Sequence, residues 1–309
     1  MKTVDTLIVG AGQAGLAMSY HLSHAEREHL LLEKDQIGSA WRSQRWDSFT
    51  LVTPNKQVLL PGMEYSGDDP DGFMPLGDVI QYLEDYAEFV DPPVKEGVTV
   101  VAIEPGPESD GFTVRTTEGD YHASNVVVAA GTFQQPKVPP FSGSVSEDIL
   151  QVHSSEYRNP HQLPPGAVLV VGSGQSGCQI AEELHGSGRE VYLSTSRVRR
   201  LPRRYRGKDS MDWMEMIGIA DRTVDELDSP ADRFTPNPHA SGVNGGHTIN
   251  LHQFSQRGIH LLGHLREARG TALEFAPDLE SNLAVGDEFA RQFKSGINLF
   301  IENSGIDAP

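Results

Sequence analysis

The chain has one cysteine, no long apolar run and a deficit of positive charge, and each scarcity closes off a class of function. With Cys178 alone, no internal disulfide and no redox centre of paired cysteines can be built. Set among apolar residues of an expected helix, that thiol reads as a packing group. No apolar stretch approaches the about 20 residues that a membrane-spanning helix needs. Lys2 is followed at once by Asp5 and the strand-like "TLIVG", without the apolar region of a secretory leader. Lys and Arg number 25 against 43 Asp and Glu, and the formal charge of −18 opposes any general attraction to nucleic acid or an anionic membrane. These features point to the cytosol, with no nucleic-acid or membrane partner.

What the chain does have is a sentence written twice. Residues 8–22 read "IVGAGQAGLAMSYHL" and residues 170–184 read "VVGSGQSGCQIAEEL". Each copy follows a short apolar run and opens a helical pattern, which is the strand, glycine turn and helix of a dinucleotide-binding unit. A pyrophosphate must lie against backbone amides at a helix N-terminus, and side chains would block it. Gly10 permits the tight turn, Gly12 the close approach and Gly15 the packing of helix on strand; Gly172, Gly174 and Gly177 repeat the set. A chain of 309 residues exceeds one ordinary core. The expected fold class is therefore α/β, with two Rossmann-like dinucleotide-binding domains.

The copies differ where they meet a ribose. In the first, the strand "HLLLEK" places Glu33 near the expected spacing of about 20 residues from the turn, and a carboxylate there accepts ribose hydroxyls but repels a 2′-phosphate. In the second, the strand "REVYLSTS" ends in Ser194, Thr195 and Ser196, followed by Arg197. No carboxylate stands there to oppose a phosphate. Arg197, Arg199, Arg200, Arg203, Arg204, Arg206 and Lys208 form a dense basic run in an acidic chain, which reads either as a solvated face or as a phosphate partner. The second turn is thus expected to take NADPH, with Arg197 on the 2′-phosphate, Ser196 beside it and Arg199 as the alternative.

Between the copies, the pattern predicts a helix over 78–90 stopped by Pro92 and Pro93, and then a strand meander through "VTVVAIE", "GFTVRTTEGD" and "ASNVVVAAG". Prolines recur from Gln134 to Pro165, as in a connection between domains. Residues 221–247 read as long surface loops. Residues 279–301 carry apolar positions at helical spacing, although Gly286 and Gly296 weigh against one unbroken helix. His239, His247 and His252 lack a metal-ligand pattern, so no metal is expected, and Asn250 is expected to face a substrate or nicotinamide pocket.

Taken in order, these stretches resemble the flavin-containing monooxygenases and their bacterial relatives among the class B flavoprotein monooxygenases. The series runs from "GAGQAG" and Glu33 through "GSAW", "RWDSFTLVTP", "VVVAAGTFQQPKVP" and "FSGSVSEDILQVHSSEY" to "GSGQSG", over roughly residues 4–265. The resemblance implies FAD at the first turn, with Trp41 of "GSAW" among its neighbours, and NADPH at the second. It also implies a domain-linking role for Phe141, Gly143, His153, Ser154 and Tyr157. Tyr157, where the Baeyer-Villiger branch carries Trp, leans toward oxygenation at N or S. The flavin-side Asn of the family has no clear counterpart, since Val52 or Thr53 aligns there and Asn55 stands slightly downstream.

The implied organisation is an FAD-binding domain over 1–145, a connecting segment over 146–165, and an NAD(P)H-binding domain with a C-terminal helical segment over 166–309. Family chains run on into a further strand and glycine turn, so the FAD domain is expected either to lack its C-terminal part, the favoured reading, or to be finished in an unfamiliar way by the segment "TALEFAPDLESN … NSGIDAP". The implied reaction joins FAD, NADPH and O₂ through a C4a-hydroperoxyflavin to oxygenate a small soft nucleophile, the cofactor carrying the chemistry. No catalytic side chain is named by this pattern. Two other functions share the glycine turns: an FAD-dependent NAD(P)H reductase feeding a quinone or carrier, and a truncated NADP(H)-binding module without catalysis.

Overall fold

The computed structural model describes residues 2–106, 110–227, 229–234 and 237–309. They form two compact units, Met1–Phe49 with Asn55–Lys137, and Thr50–Pro54 with Val138–Pro309.

In the first unit, β1 (Lys2–Val9) leads through the glycine turn into α1 (Gln13–His24), then β2 (His29–Leu32), the short α2 (Ser39–Ser43) and α3 (Leu76–Val90). β3 (Val94–Lys95), β4 (Val100–Pro105), β5 (Phe112–Thr116) and β6 (Tyr121–Val128) complete a six-stranded sheet of order β3-β2-β1-β6-β5-β4. β1 pairs in parallel with both β2 and β6, while β4, β5 and β6 form the expected antiparallel meander. Period-two alternation divides the sheet's apolar residues between two cores. Ile8 and Leu31 pack with Ala11, Leu16 and Tyr86 on the helical side. Leu7 and Leu32 pack with Val4, Val98, Val114, Tyr121 and Ala123 on the other. Val79, Tyr82, Leu83 and Tyr86 recur at helical spacing on the buried face of α3, and the helix ends at Asp91, whose φ of 47° places it in the left-handed region just before Pro92.

The second unit repeats the motif. β7 (Val168–Val171), α4 (Gln175–Gly186), β8 (Val191–Ser194) and, much later, β11 (His260–Leu262) make a parallel sheet of order β11-β8-β7. Between β8 and β11 lie the hairpin β9 (Arg204–Tyr205) with β10 (Lys208–Asp209), then α5 (Ser210–Met216) and α6 (Leu251–Arg257). The hairpin β12 (Leu265–Arg269) with β13 (Ala272–Phe275) and the long α7 (Leu279–Ser304) follow.

Two expectations need correction here. Gly286 and Gly296 do not interrupt α7, which runs unbroken over 26 residues. A Cβ on Gly286 would stand 3.3 Å from the Val198 carbonyl and 3.4 Å from the Arg200 Cβ, so this glycine permits close packing against the strand-end loop. Phe293, Ile297 and Ile301 of the same helix are buried with Leu201, Trp213 and Ala240. Burial of each large side chain contributes about 1.5–3 kcal/mol, enough to offset the about 1 kcal/mol that a glycine costs a helix. Nor is the end of the 221–247 stretch a surface loop. His239, Ala240 and Ser241 are buried, and His239 makes a strand-like bridge to Arg200.

Candidate functional site

The first glycine turn has the stereochemistry its sequence demands. Gly10 has φ of +102°, and a Cβ there would lie 2.6 Å from the Ala129 carbonyl oxygen; a Cβ on Gly15 would lie 1.9 Å from that of Gly10. Neither position accepts a side chain. Gly12 is different: nothing lies within 4 Å of its absent Cβ, and it caps α1 with no side-chain hydrogen bond to the first-turn amides. Those donors have no intrahelical acceptor, which is the arrangement that receives an anion. Glu33 stands just past β2 and is 8% exposed. Its Oε2 accepts the Ala11 N–H at 2.8 Å and its Oε1 accepts the Asp35 N–H at 3.1 Å. The expected ribose-binding carboxylate thus sits at the turn, held by backbone. Trp41 lies on α2 in the same unit, with the Arg45 guanidinium over its ring at 5.0 Å and Phe49 against it at 5.7 Å. Burial lowers the pKa of Arg45.

Asn55 also belongs to this unit. It is buried, donates through Nδ2 to the Asp69 carbonyl at 2.8 Å and leaves its Oδ1 without a hydrogen-bond partner.

The second turn repeats the first. Gly172 has φ of +101°, a Cβ on Gly177 would lie 1.9 Å from the Gly172 carbonyl oxygen, and Gly174 caps α4 with open space beside it and no side-chain cap. The strand end beyond it is pinned at each residue. Ser194 Oγ donates to the Gly263 carbonyl and accepts the Leu265 N–H. Thr195 donates to the Leu262 carbonyl and accepts from Asn282 of α7. The Ser196 N–H donates to Ser173 Oγ at 2.9 Å. Arg197 comes next, exposed, with no hydrogen bond or ion pair among the described residues.

The basic run is not one phosphate-facing patch. Arg199, the alternative phosphate ligand, lies over the Phe289 ring at 5.4 Å. Arg200 pairs with Asp287, which also meets His252. Arg203 is 2% exposed, forked onto Asp209 at 2.7 and 2.8 Å, and donates to the Val52 carbonyl. Arg204 donates to the carbonyls of Gly245 and Gly246, and Arg206 to that of Ala308. Most of the run serves the fold, while the exposed Arg197 directly follows Ser196, whose amide is held at the turn by Ser173.

The linking motif falls in the second unit. Phe141 and Gly143 lie in a 3-10 turn, and the neighbouring Ser144 and Ser146 bond to Gly270 at the tip of the β12–β13 hairpin. His153 shares its Nδ1 with the Ser155 hydroxyl and amide, and Ser154 is exposed. Tyr157 is buried and donates its hydroxyl to Glu183 of α4 at 2.6 Å. Sequence reading missed Arg189, which donates to the carbonyls of Pro160, Leu163, Pro164 and Gly166. Its signal was a lone arginine after a helix, with nothing in the spacing to name its acceptors.

The remaining histidines are dispersed. His239 lies 3.9 Å from Cys178, and burial lowers its pKa to about 4. Cys178 is itself fully buried, which drives its thiol pKa far up. His247 meets both carboxylate oxygens of Glu182 at 2.8 and 3.0 Å. Asn250 caps α6 by accepting the His252 N–H and lines a small cavity with His239, Asn282 and Asp287.

With this geometry in place, comparison with known proteins gives one family model, the pyridine nucleotide-disulphide oxidoreductases, matching residues 7–211. The chain belongs to that family. Among curated relatives, an uncharacterised CzcO-like oxidoreductase from Geobacillus kaustophilus is 43% identical over 218 residues, covering 70% of this chain and 61% of that protein. Rice indole-3-pyruvate monooxygenase YUCCA1 is 30% identical over 218 residues, covering 69% of this chain and 52% of that protein. The chain therefore spans about three-fifths and about half of the lengths of these two oxidoreductases. Among solved structures, the flavin-containing monooxygenase of Stenotrophomonas maltophilia superposes with a TM-score of 0.69 at 20% identity, over 89% of this chain and 74% of that one. The two-Rossmann α/β fold is shared, and the likeness to flavin-containing monooxygenases drawn from the motifs holds. No helix among the described residues is long and apolar enough to cross a membrane.

Proposed function

We propose that this chain carries the nucleotide-binding parts of an FAD- and NADPH-dependent monooxygenase that uses O₂ to oxygenate a small soft nucleophile at N or S. The observation that carries the reading is the contrast between two otherwise equal turns, one ending on the Glu33 carboxylate and the other on Ser196 and Arg197. FAD would lie with its pyrophosphate on the first-turn amides of α1, its ribose on Glu33 and Trp41 nearby. NADPH would lie on α4, with Arg197 and Ser196 at its 2′-phosphate. Bound FAD would supply hydride acceptance from NADPH and transfer of one oxygen atom from O₂ to the substrate.

What this chain's residues do is narrower. Gly12 and Gly174 leave room for a pyrophosphate, and the uncapped amides beside them offset its charge. Glu33 excludes a 2′-phosphate from the first site by repulsion, and Arg197 favours one at the second. Residues 1–145 and 166–309 are assigned to FAD and NAD(P)H respectively, and Phe141, Gly143, His153 and Tyr157 within or beside the 146–165 connection to orienting the two domains. An acidic, NADPH-consuming protein suits the cytosol.

The test is the visible spectrum of the purified protein with added FAD, followed by NADPH without oxygen. Retained flavin bands that bleach with NADPH and return in air, with an N- or S-oxygenated product, support the proposal. Flavin bands that return with hydrogen peroxide as the only product, whatever nucleophile is supplied, overturn the oxygenation. NADPH binding without retained flavin reduces the chain to a nucleotide-binding module.

A further inference from the structure

We propose that Ser173 is the positioning residue for NADPH selectivity, its hydroxyl fixing the strand-end loop so that Arg197 meets the 2′-phosphate. This rests on the reading of the second turn as an NADPH site. Ser173 occupies the middle of "GSG", where the first copy has Ala11, and it is fully buried.

A buried hydroxyl inside a glycine turn calls for a partner, and it has two in one residue. Ser173 Oγ accepts the Ser196 N–H at 2.9 Å and donates to the Ser196 carbonyl at 3.4 Å. The first copy makes the same turn-to-strand-end link in the opposite sense, since there the acceptor is the strand-end Glu33 and the donor is the Ala11 amide of the turn. The reversal has an electrostatic consequence. Placing the acceptor on the turn, as a neutral hydroxyl, keeps the link while removing negative charge from the strand end, where a 2′-phosphate would stand.

Ser194 and Thr195 are already committed to the Gly263 and Leu262 carbonyls. Ser196 is the last residue before the exposed Arg197, and Ser173 is what holds it. A loop fixed before binding loses less conformational freedom when the nucleotide arrives. The advantage falls on the nucleotide that Arg197 touches.

The experiment measures dissociation constants of NADP⁺ and NAD⁺ by titration calorimetry for wild type, S173A, S173G, R197A and S173A/R197A. S173G covers the case in which S173A does not fold, because glycine suits the turn. Wild type is expected to prefer NADP⁺. Loss of the hydroxyl should cut that preference about fivefold to tenfold, the equivalent of one hydrogen bond, and should have no further effect on it in the R197A background. If S173A or S173G weakens both nucleotides by one factor, or if the loss of preference persists undiminished without Arg197, Ser173 is merely structural and the inference falls. If wild type binds NAD⁺ as tightly as NADP⁺, the NADPH reading of the second turn falls first, and the inference with it.

Discussion

The Glu33 carboxylate reaches back across the first glycine turn and accepts the Ala11 amide at 2.8 Å, while its other oxygen takes the Asp35 amide. One side chain thereby sets the shape of the turn and carries the charge that a ribose would meet. In Glu33→Gln only one carbonyl oxygen remains to serve the two amides, so either the buried Ala11 N–H or the more exposed Asp35 N–H loses its acceptor. The expected cost is about 1–3 kcal/mol, read as a lowered unfolding midpoint, together with less flavin absorbance after gel filtration. Unchanged midpoint and flavin content would remove both roles.

The glycines of each turn should separate fold from binding. Gly15→Ala and Gly177→Ala drive a methyl to within 1.9 Å of a backbone oxygen, so a loss of about 1–3 kcal/mol or more is expected. Gly12→Ala and Gly174→Ala meet nothing within 4 Å and should cost under about 1 kcal/mol, yet each places a methyl where a pyrophosphate would approach. Thermal denaturation and nucleotide titration on the four variants check this, and equal effects on stability across all four would contradict it.

Arg203 tests the reassignment of the basic run. It and Asp209 are almost wholly buried, at 2% and 10% side-chain exposure. Removal of one partner strands the other charge, so Arg203→Ala should lose about 3–5 kcal/mol in a denaturant titration. A variant of native stability that binds NADP⁺ poorly would instead make Arg203 a ligand residue.

His247 gives a pH dependence with a definite sign. Its hydrogen bond to the Glu182 carboxylate raises its pKa against the opposing effects of burial and of Arg257. A pKa raised on folding stabilises fully below the unfolded value of about 6.5 and is lost as pH climbs through the folded value. The stability gap between wild type and His247→Gln should therefore be wider near about pH 5.5 than near about pH 8.5, by no more than about 1 kcal/mol for a partly exposed pair. A gap that is flat with pH would show the imidazole acting only as a neutral hydrogen-bond group.

Much of the frame was legible because it is local. Both turns sit where short apolar strands run into glycines, Glu33 follows its strand at the required spacing, and the meander announces itself by turns. What escaped the sequence depends on distant partners. Gln175 exchanges hydrogen bonds with the amide and carbonyl of Ala240, which is how a stretch rich in Asp, Pro and Gly becomes buried beside the second turn. Gly286 looks like a helix breaker until Val198 and Arg200 are set against it. The arginines after β8 form one cluster in sequence, but their acceptors on Val52, Asp209, Gly245, Asp287 and Ala308 lie far apart along the chain.

Arg189 gathers the carbonyls of Pro160, Leu163, Pro164 and Gly166 around one guanidinium. A proline-rich stretch of this kind would otherwise be slack, free to bend at its leucine and glycine. The clamp makes it a brace, its freedom already surrendered when the unit folds. In a chain with a single cysteine, one arginine thus supplies the stiffness that other proteins obtain from a covalent crosslink, and it can be undone by losing one side chain without any change of redox state.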